Sequence, residues 1–379
     1  MKVMIVVTHL LGTGHLSRAL TLGRAFAATG HQVRLVSGGM PAPQLDPAGL
    51  ELVQLPPLRS DGVDFARLLT ETGAEADAGF HTTRQAALLE ALTAFAPDVL
   101  ITELYPFGRR SLKTEFRALL AAARALPRPP LVLSSIRDIL APPSKPAKAE
   151  EADQVIAEAY DAVLVHSDPK VTRLEASWPV SAALADKLRY TGYVAPPPAE
   201  PHPERAGAGE ILVSAGGGAV GGPLFRVALE AARRMPSHRW RLLVGGTQAG
   251  AEVAALQEQA SNAPVTVEPA RPDFRAMLTH AAASVSMCGY NTALDLLQAR
   301  TPAVLIPFDA GKEVEQGLRA RALTALPGFA TVTSAELTPE TLMRALQQVM
   351  RDPRRDTTTL RFDGAAETVR MVEMMEAAR

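Results

Sequence analysis

Several short stretches of this 379-residue chain gather residue types that do chemistry. The first is Gly12-Thr13-Gly14-His15, which follows the apolar run KVMIVV. Two glycines around a threonine make a tight turn, and His15 falls where a helix begins. A helix N-terminus disfavours an imidazolium, so a neutral His15 would suit general-base work at pH 7; the alternative is that it caps or packs. His9, at the strand end itself, reads first as a packed residue. Gly12 and Gly14 match half of a dinucleotide fingerprint. Position 17 is Ser17, however, and the second strand closes in SGG without an acidic residue, which argues against a nicotinamide or flavin cofactor.

A second loop, Ser214-Ala215-Gly216-Gly217-Gly218, follows the run EILV. Consecutive glycines expose backbone N–H groups, and a helix start favours an anion, so a diphosphate or a sugar suits it; a plain tight turn is the alternative. The lysine and Ser/Thr of a Walker loop are missing, so ATP hydrolysis is not indicated. In MCGYNTALD, Gly289 turns the chain after a strand, and Asn291 or Thr292 is placed to cap a helix. N–H groups at that end suit phosphate oxygens. Asp295 follows about one turn, roughly 5 Å, along the axis, an offset at which a carboxylate holds ribose hydroxyls. A capped helix with an incidental Asp would read the same way. Glu315 and Gln316, shortly after Pro307, add hydrogen-bonding groups. Glu103 ends the run DVLIT, with Arg109, Arg110 and Lys113 close behind, and SSIRD puts Arg137 and Asp138 at another strand end. An acid, aromatics and arginines suit an anionic or hydroxylated ligand, and equally a solvated basic helix start. No D-x-D triplet, H-E-x-x-H or G-x-S-x-G occurs, so no metal-diphosphate clamp, zincin or nucleophile elbow is read.

These residues need strands to carry them. KVMIVV, QVRLVSGG, ELVQLP, DVLIT, PPLVLSS and DAVLVHS alternate with helical patterns near 15–29, 84–95, 111–125 and 149–160, the signature of a parallel sheet covered by helices. The second half restarts with EILVSAGGGAVGG, and RWRLLVGG, PVTVEP, ASVSM, PAVLIPF and FATVTS continue it. The reading is an α/β chain: an N-terminal Rossmann-like domain over 1–195, a Pro/Gly-rich linker over 196–209 and a second Rossmann-like domain over 210–362. A helix over 363–379 would complete it, with Val369, Val372 and Met375 near one face, either packing locally or crossing back to the first domain. In open α/β sheets ligands sit beyond the carboxyl ends of the strands, so two such domains are expected to face each other across a cleft.

Bulk properties narrow the classes. A formal charge of −1 disfavours a polyanionic partner such as nucleic acid. One cysteine, Cys288, allows neither an internal disulfide nor a zinc cluster. The first apolar run is too short for a signal peptide and none approaches a membrane span, so a cytoplasmic protein is expected. The basic Arg109–Arg117 region suits lipid headgroups and a solvated helix face equally.

GTGH before a helix, the mid-chain proline-rich segment, SAGGG and CGYNTALDLLQARTPAVLIPF…EVEQGLRA together resemble the two-domain (GT-B) glycosyltransferases. They are most similar to the family 28 group around the peptidoglycan GlcNAc transferase. HLLGTGHLSRAL, TELYPFGRR, SIRDIL and YTGYV further resemble a bacterial subgroup of predicted MurG-like glycosyltransferases. The resemblance implies an inverting, metal-independent transfer from a nucleoside-diphosphate sugar, such as a UDP-sugar, to an acceptor hydroxyl of a small or lipid-linked molecule. It implies no further cofactor. It assigns Gly12, Thr13 and Gly14 to the acceptor side and the donor phosphates, His15 to the general base, and Ser214, Gly216, Gly217 and Gly218 to the diphosphate. Gly289, Tyr290, Asn291 and Thr292 fall at the phosphate-bearing end, Asp295 where that family uses a ribose-binding glutamate, and Glu315 and Gln316 where the peptidoglycan enzyme has a glutamine pair. Glu103, Arg109, Arg110 and Arg137 fall on the acceptor side. Nucleotide-sugar hydrolases and UDP-GlcNAc 2-epimerases share the architecture, and a non-catalytic nucleotide-sugar-binding protein is the reading from another class.

Overall fold

The computed structural model describes residues 1–61, 67–216, 221–246, 249–260, 263–310 and 313–379, so Gly217 and Gly218 lie outside the described residues. The chain divides into two compact units, Met1–Pro196 with Arg361–Arg379, and Pro197–Leu360.

The first unit is built on β1 (Lys2–Val7), β2 (Gln32–Gly39), β3 (Glu51–Ser60), β4 (Leu68–Leu69), β5 (Val99–Glu103), β6 (Leu131–Arg137), β7 (Ala162–His166) and β8 (Leu188–Tyr190). Their order is β4-β3-β2-β1-β5-β6-β7-β8, parallel except for the β3–β4 pair. Strands such as KVMIVV and AVLVH are apolar at nearly every position because helices cover both faces of the sheet. On one face, Leu16, Leu20 and Phe26 of helix Gly14–Ala28 pack with Val369 and Val372 of helix Gly364–Ala377. On the other, Leu88, Leu92, Phe116, Leu119 and Ile156 come from helices Ala78–Phe95, Lys113–Arg124 and Pro146–Ala159. Helix Ala78–Phe95 starts six residues before the apolar pattern suggests, because the Asp77 carboxylate accepts the Phe80 N–H at 2.7 Å. The short edge strands β4 and β8 carry no periodic signal.

The second unit has β9 (Glu210–Ser214), β10 (Arg239–Val244), β11 (Val265–Pro269), β12 (Ala283–Ser286), β13 (Ala303–Leu305) and β14 (Phe329–Thr331), in the order β11-β10-β9-β12-β13-β14. All its pairings are parallel. The Pro/Gly-rich segment from Pro197 onward belongs to this unit. His202, 8% exposed, anchors it. Its Nε2–H donates to the Asp273 carboxylate at 2.9 Å, and its Nδ1 accepts the Glu204 and Ala206 N–H groups. The Gly209 N–H closes onto the His280 carbonyl at 2.9 Å. Composition hides this anchoring, because one buried imidazole performs it.

Each sheet reverses its winding once beside its first strand, between β1 and β5 and between β9 and β12. At such a switch point the connections leave in opposite directions and open a crevice at the strand ends. The two motif clusters lie there: Gly12–His15 and Glu103 in the first unit, Ser214–Gly216 and Gly289–Asp295 in the second.

Candidate active site

In the first unit β1 runs into a turn in which Gly12 holds φ +46°, a left-handed conformation that favours glycine. Thr13 precedes the helix without a side-chain capping bond, and its carbonyl accepts the Ser17 N–H at 2.9 Å. The helix opens at Gly14, so His15 sits in its first turn. A Cβ added at Gly14 would meet no atom within 4 Å. Across the switch point, β5 ends on Glu103, whose Oε1 lies 2.8 Å from His15 Nδ1. Arg18, one turn after His15, donates to the same oxygen. Ser135 Oγ–H donates to Oε2 at 2.7 Å.

Glu103 is 2% exposed. Burial alone would raise its pKa, but the Arg18 guanidinium and the His15 hydrogen bond outweigh it and hold the carboxyl below the usual range. A carboxylate only accepts, so the shorter contact puts the proton of His15 on Nδ1, in preference to a bond from Arg18 Nη2 to that nitrogen at 3.2 Å, and leaves the Nε2 lone pair as the ring's basic site. Burial lowers the pKa of His15; the Glu103 bond opposes that, and the charges of Arg109 and Arg137 add to it. His15, pushed down to about 3, is therefore neutral at pH 7 with Nε2 unprotonated.

The arginines divide. Arg137, the last residue of β6, lies close enough to act electrostatically on His15. Arg109 acts there too, but its Nε–H donates to the Thr8 carbonyl, which ties its side chain to the loop after β1. Arg110 stands over the Trp178 ring, 5.6 Å from its centroid, and lines a hollow with Tyr105, Lys113, Lys148 and Glu151. Glu103 is buried and both its oxygens are engaged, Oε1 by His15 and Arg18 and Oε2 by Ser135, so it holds neighbouring side chains. Arg84 is a residue the motifs did not flag. Fully buried, it pairs with Glu115 at 2.7 Å and donates to Thr8 Oγ1 and the Gly38 carbonyl, gathering the ends of β1 and β2.

In the second unit the side chains mostly serve the unit itself. Ser214 Oγ accepts the Gly216 N–H at 3.1 Å and shapes the loop, and Gly216 holds φ +75°. Helix Tyr290–Ala299 begins earlier than the capping pattern suggests: Gly289 is its N-cap, with no side-chain capping bond. Asn291 and Thr292 are thus first-turn residues rather than caps, and their N–H groups belong to the set that a helix cannot pair internally. No atom lies within 4 Å of a Cβ built on Gly289. The Tyr290 ring is 6% exposed, with the Arg319 guanidinium 5.8 Å from its centroid, so packing rather than ligand contact occupies the ring.

Asp295 also has a partner that spacing did not reveal. Its Oδ1 accepts from Arg275 Nε–H at 2.7 Å, and Arg275 also donates to Gln298 Oε1 and the Pro197 carbonyl. Burial pushes the Asp295 carboxyl up to about 6, with Arg275 opposing, so it is ionised at pH 7. Both residues line a hollow with Pro198, Thr279 and Gln298. Gln316 Oε1 accepts the Cys288 N–H at 3.0 Å and the Phe308 N–H at 3.1 Å, joining the chain after β12 to the chain after β13. Its carbonyl oxygen is therefore occupied by the fold, and the amide N–H groups are the part of the side chain that could meet a sugar hydroxyl. Glu315 opens helix Glu315–Thr324, and its N–H donates to Glu313 Oε1 at 2.7 Å.

Residues 213–369 match the glycosyltransferase family 28 C-terminal domain. The chain is 30% identical over 167 residues to the UDP-N-acetylglucosamine–N-acetylmuramyl-(pentapeptide) pyrophosphoryl-undecaprenol N-acetylglucosamine transferase of Brucella anthropi, covering 43% of each chain. It thus spans about half the length of the curated relatives it matches. Its fold is that of MurG from Acinetobacter baumannii, with a TM-score of 0.66 at 15% identity, covering 99% of this chain and 100% of that one. It is also that of UDP-GlcNAc 2-epimerase from Methanocaldococcus jannaschii, with a TM-score of 0.59 at 9% identity, covering 99% and 100%. No helix among the described residues is long and apolar enough to cross a membrane. The chain therefore carries a glycosyltransferase family 28 C-terminal domain within a MurG-like, two-domain GT-B fold.

Proposed function

We propose that the protein transfers a sugar from a nucleoside-diphosphate sugar, a UDP-sugar by similarity, to an acceptor hydroxyl with inversion and without a metal. The observation that carries the reading is the His15–Glu103 pair at 2.8 Å, held at the switch point of the first sheet. His15 Nε2 takes the proton of the acceptor hydroxyl. The acceptor oxygen then bonds to the anomeric carbon as the bond from that carbon to the diphosphate breaks. Only backbone N–H groups and the dipole at the start of helix Tyr290–Ala299 are asked to stabilise the departing diphosphate, with Asn291 and Thr292 as donors. The loop at Ser214 and Gly216 adds to that end, and the Asp295 carboxylate takes the ribose hydroxyls. The positive field of Arg109 and Arg137 around His15 supports an acceptor that carries anionic groups, such as a lipid-linked diphosphate.

The test is a thermal-shift screen of nucleotide sugars, followed by turnover of the stabilising donor with and without acceptor alcohols. Sugar transfer to an added acceptor supports the reading. The fold is shared with an epimerase, so release of free sugar or epimerised donor without any acceptor would overturn it.

A further inference from the structure

The polar chain behind Glu103 does not stop at Ser135. Ser135 Oγ lies 3.0 Å from His166 Nε2, and His166 Nδ1 lies 2.8 Å from Thr191 Oγ1. All three residues are fully buried, Ser135 in β6, His166 at the end of β7 and Thr191 just after β8, away from any direct part in proton transfer. We propose that Ser135, His166 and Thr191 are positioning residues that hold the Glu103 carboxylate turned so that Oε1 faces His15 Nδ1, through the hydrogen bond that Ser135 donates to Oε2. The proposal deepens the general-base reading and rests on it.

The direction follows from counting protons. The Glu103 carboxylate has none to give, so the single Ser135 hydroxyl proton goes to Oε2. The Ser135 oxygen can then only accept from His166, which must carry its proton on Nε2. His166 Nδ1 is thereby an acceptor, which turns the single Thr191 hydroxyl proton to it, 2.8 Å away, in place of the Gly192 carbonyl at 2.9 Å and the Val165 carbonyl at 3.4 Å. The chain runs Thr191 to His166 to Ser135 to Glu103, and His15 donates to the same carboxylate from the other side. The opposite His166 tautomer would turn the Ser135 proton away from Glu103 and leave Oε2 without that donor. Buried networks of this kind hold one arrangement because an unmet partner costs far more there than in water.

The direct test is ring-nitrogen NMR on the full-length protein labelled with 15N-histidine, using His15→Ala and His166→Gln to assign signals. The proposal expects His15 in the Nδ1–H form and His166 in the Nε2–H form. A His166 protonated on Nδ1 would overturn it. Ser135→Ala and His166→Leu should move His15 towards an average of both tautomers, whereas His166→Gln, whose amide N–H replaces Nε2–H, should restore the single form. A purely structural role would lower the melting temperature of Ser135→Ala with unchanged His15 signals, and that result also overturns the proposal. Since no substrate is needed, the outcome is independent of whether sugar transfer itself is demonstrated.

Discussion

At the switch point between β1 and β5 the working groups are side chains. His15, Glu103, Arg18 and Ser135 meet within one buried network, and the charges of Arg109 and Arg137 act on it. At the switch point between β9 and β12 the side chains have internal duties. Ser214 shapes its own loop, Gln316 joins two loops, the Tyr290 ring packs, and Asp295 shares its carboxylate with Arg275. What remains there for a ligand is mostly backbone, a helix start and glycines with open space above them, beside the Asp295 carboxylate that Arg275 meets at Oδ1. On the proposed reading, the difference teaches that one crevice topology serves two kinds of chemistry. Moving a proton needs a side chain of tuned basicity. Holding a diphosphate needs several fixed N–H donors, which a helix terminus supplies without a titratable group.

The comparison is most severely tested at Glu103. Glu103→Ala leaves Arg18 buried without its carboxylate, so the first unit should lose about 3–5 kcal/mol, read by denaturant unfolding, and turnover should fall with it. Ser214→Ala removes one loop hydrogen bond and should cost only about 0.5–1.5 kcal/mol. Equal losses would erase the contrast. His15→Ala should lower turnover by about 10²–10⁴-fold, the range for losing a general base, with little change in unfolding free energy. Wild-type turnover would remove His15 from the reaction.

A smaller effect is expected from pH. Burial, first among the causes, lowers the pKa values of His9, His15 and His166. Below the ordinary histidine value of about 6.5 the unfolded chain therefore binds protons that the folded chain does not, and stability falls as pH falls through that value. Asp295, raised to about 6, works with opposite sign, because the folded state binds its proton first. Three groups outweigh one, so the melting temperature should drop between pH 7 and pH 5; a rise would show that these imidazoles are not held neutral. The smallest effect is on stability at Gly14. It has an ordinary backbone conformation and nothing over its Cβ position, so Gly14→Ala should change unfolding free energy by no more than ~1 kcal/mol while it impairs turnover. Full turnover in Gly14→Ala would show that no ligand approaches there.

Much of the architecture was legible because its strands are short, apolar and punctuated by glycine. The candidate positions were legible at strand ends and at the helix starts beyond them, as with Glu103, which ends β5, and His15, in the first turn of the helix after β1. What the sequence could not reveal is which side chains meet across strands. Glu103 comes 88 positions after His15, Arg275 20 before Asp295, and His166 31 after Ser135, distances that no local periodicity covers. The capping assignment at Asn291 failed for a related reason. A good capping residue two positions inside a helix looks the same in sequence as one at its start, and Gly289 took that place.

The central claim, a base from the first unit and a nucleotide end in the second, is tested most directly by titrating UDP calorimetrically into the wild type, His15→Ala and Asp295→Ala. The account predicts wild-type affinity for His15→Ala and binding weaker by about 1–3 kcal/mol for Asp295→Ala, the scale of a lost charged hydrogen bond. Weakened binding in His15→Ala together with unchanged affinity in Asp295→Ala would contradict it.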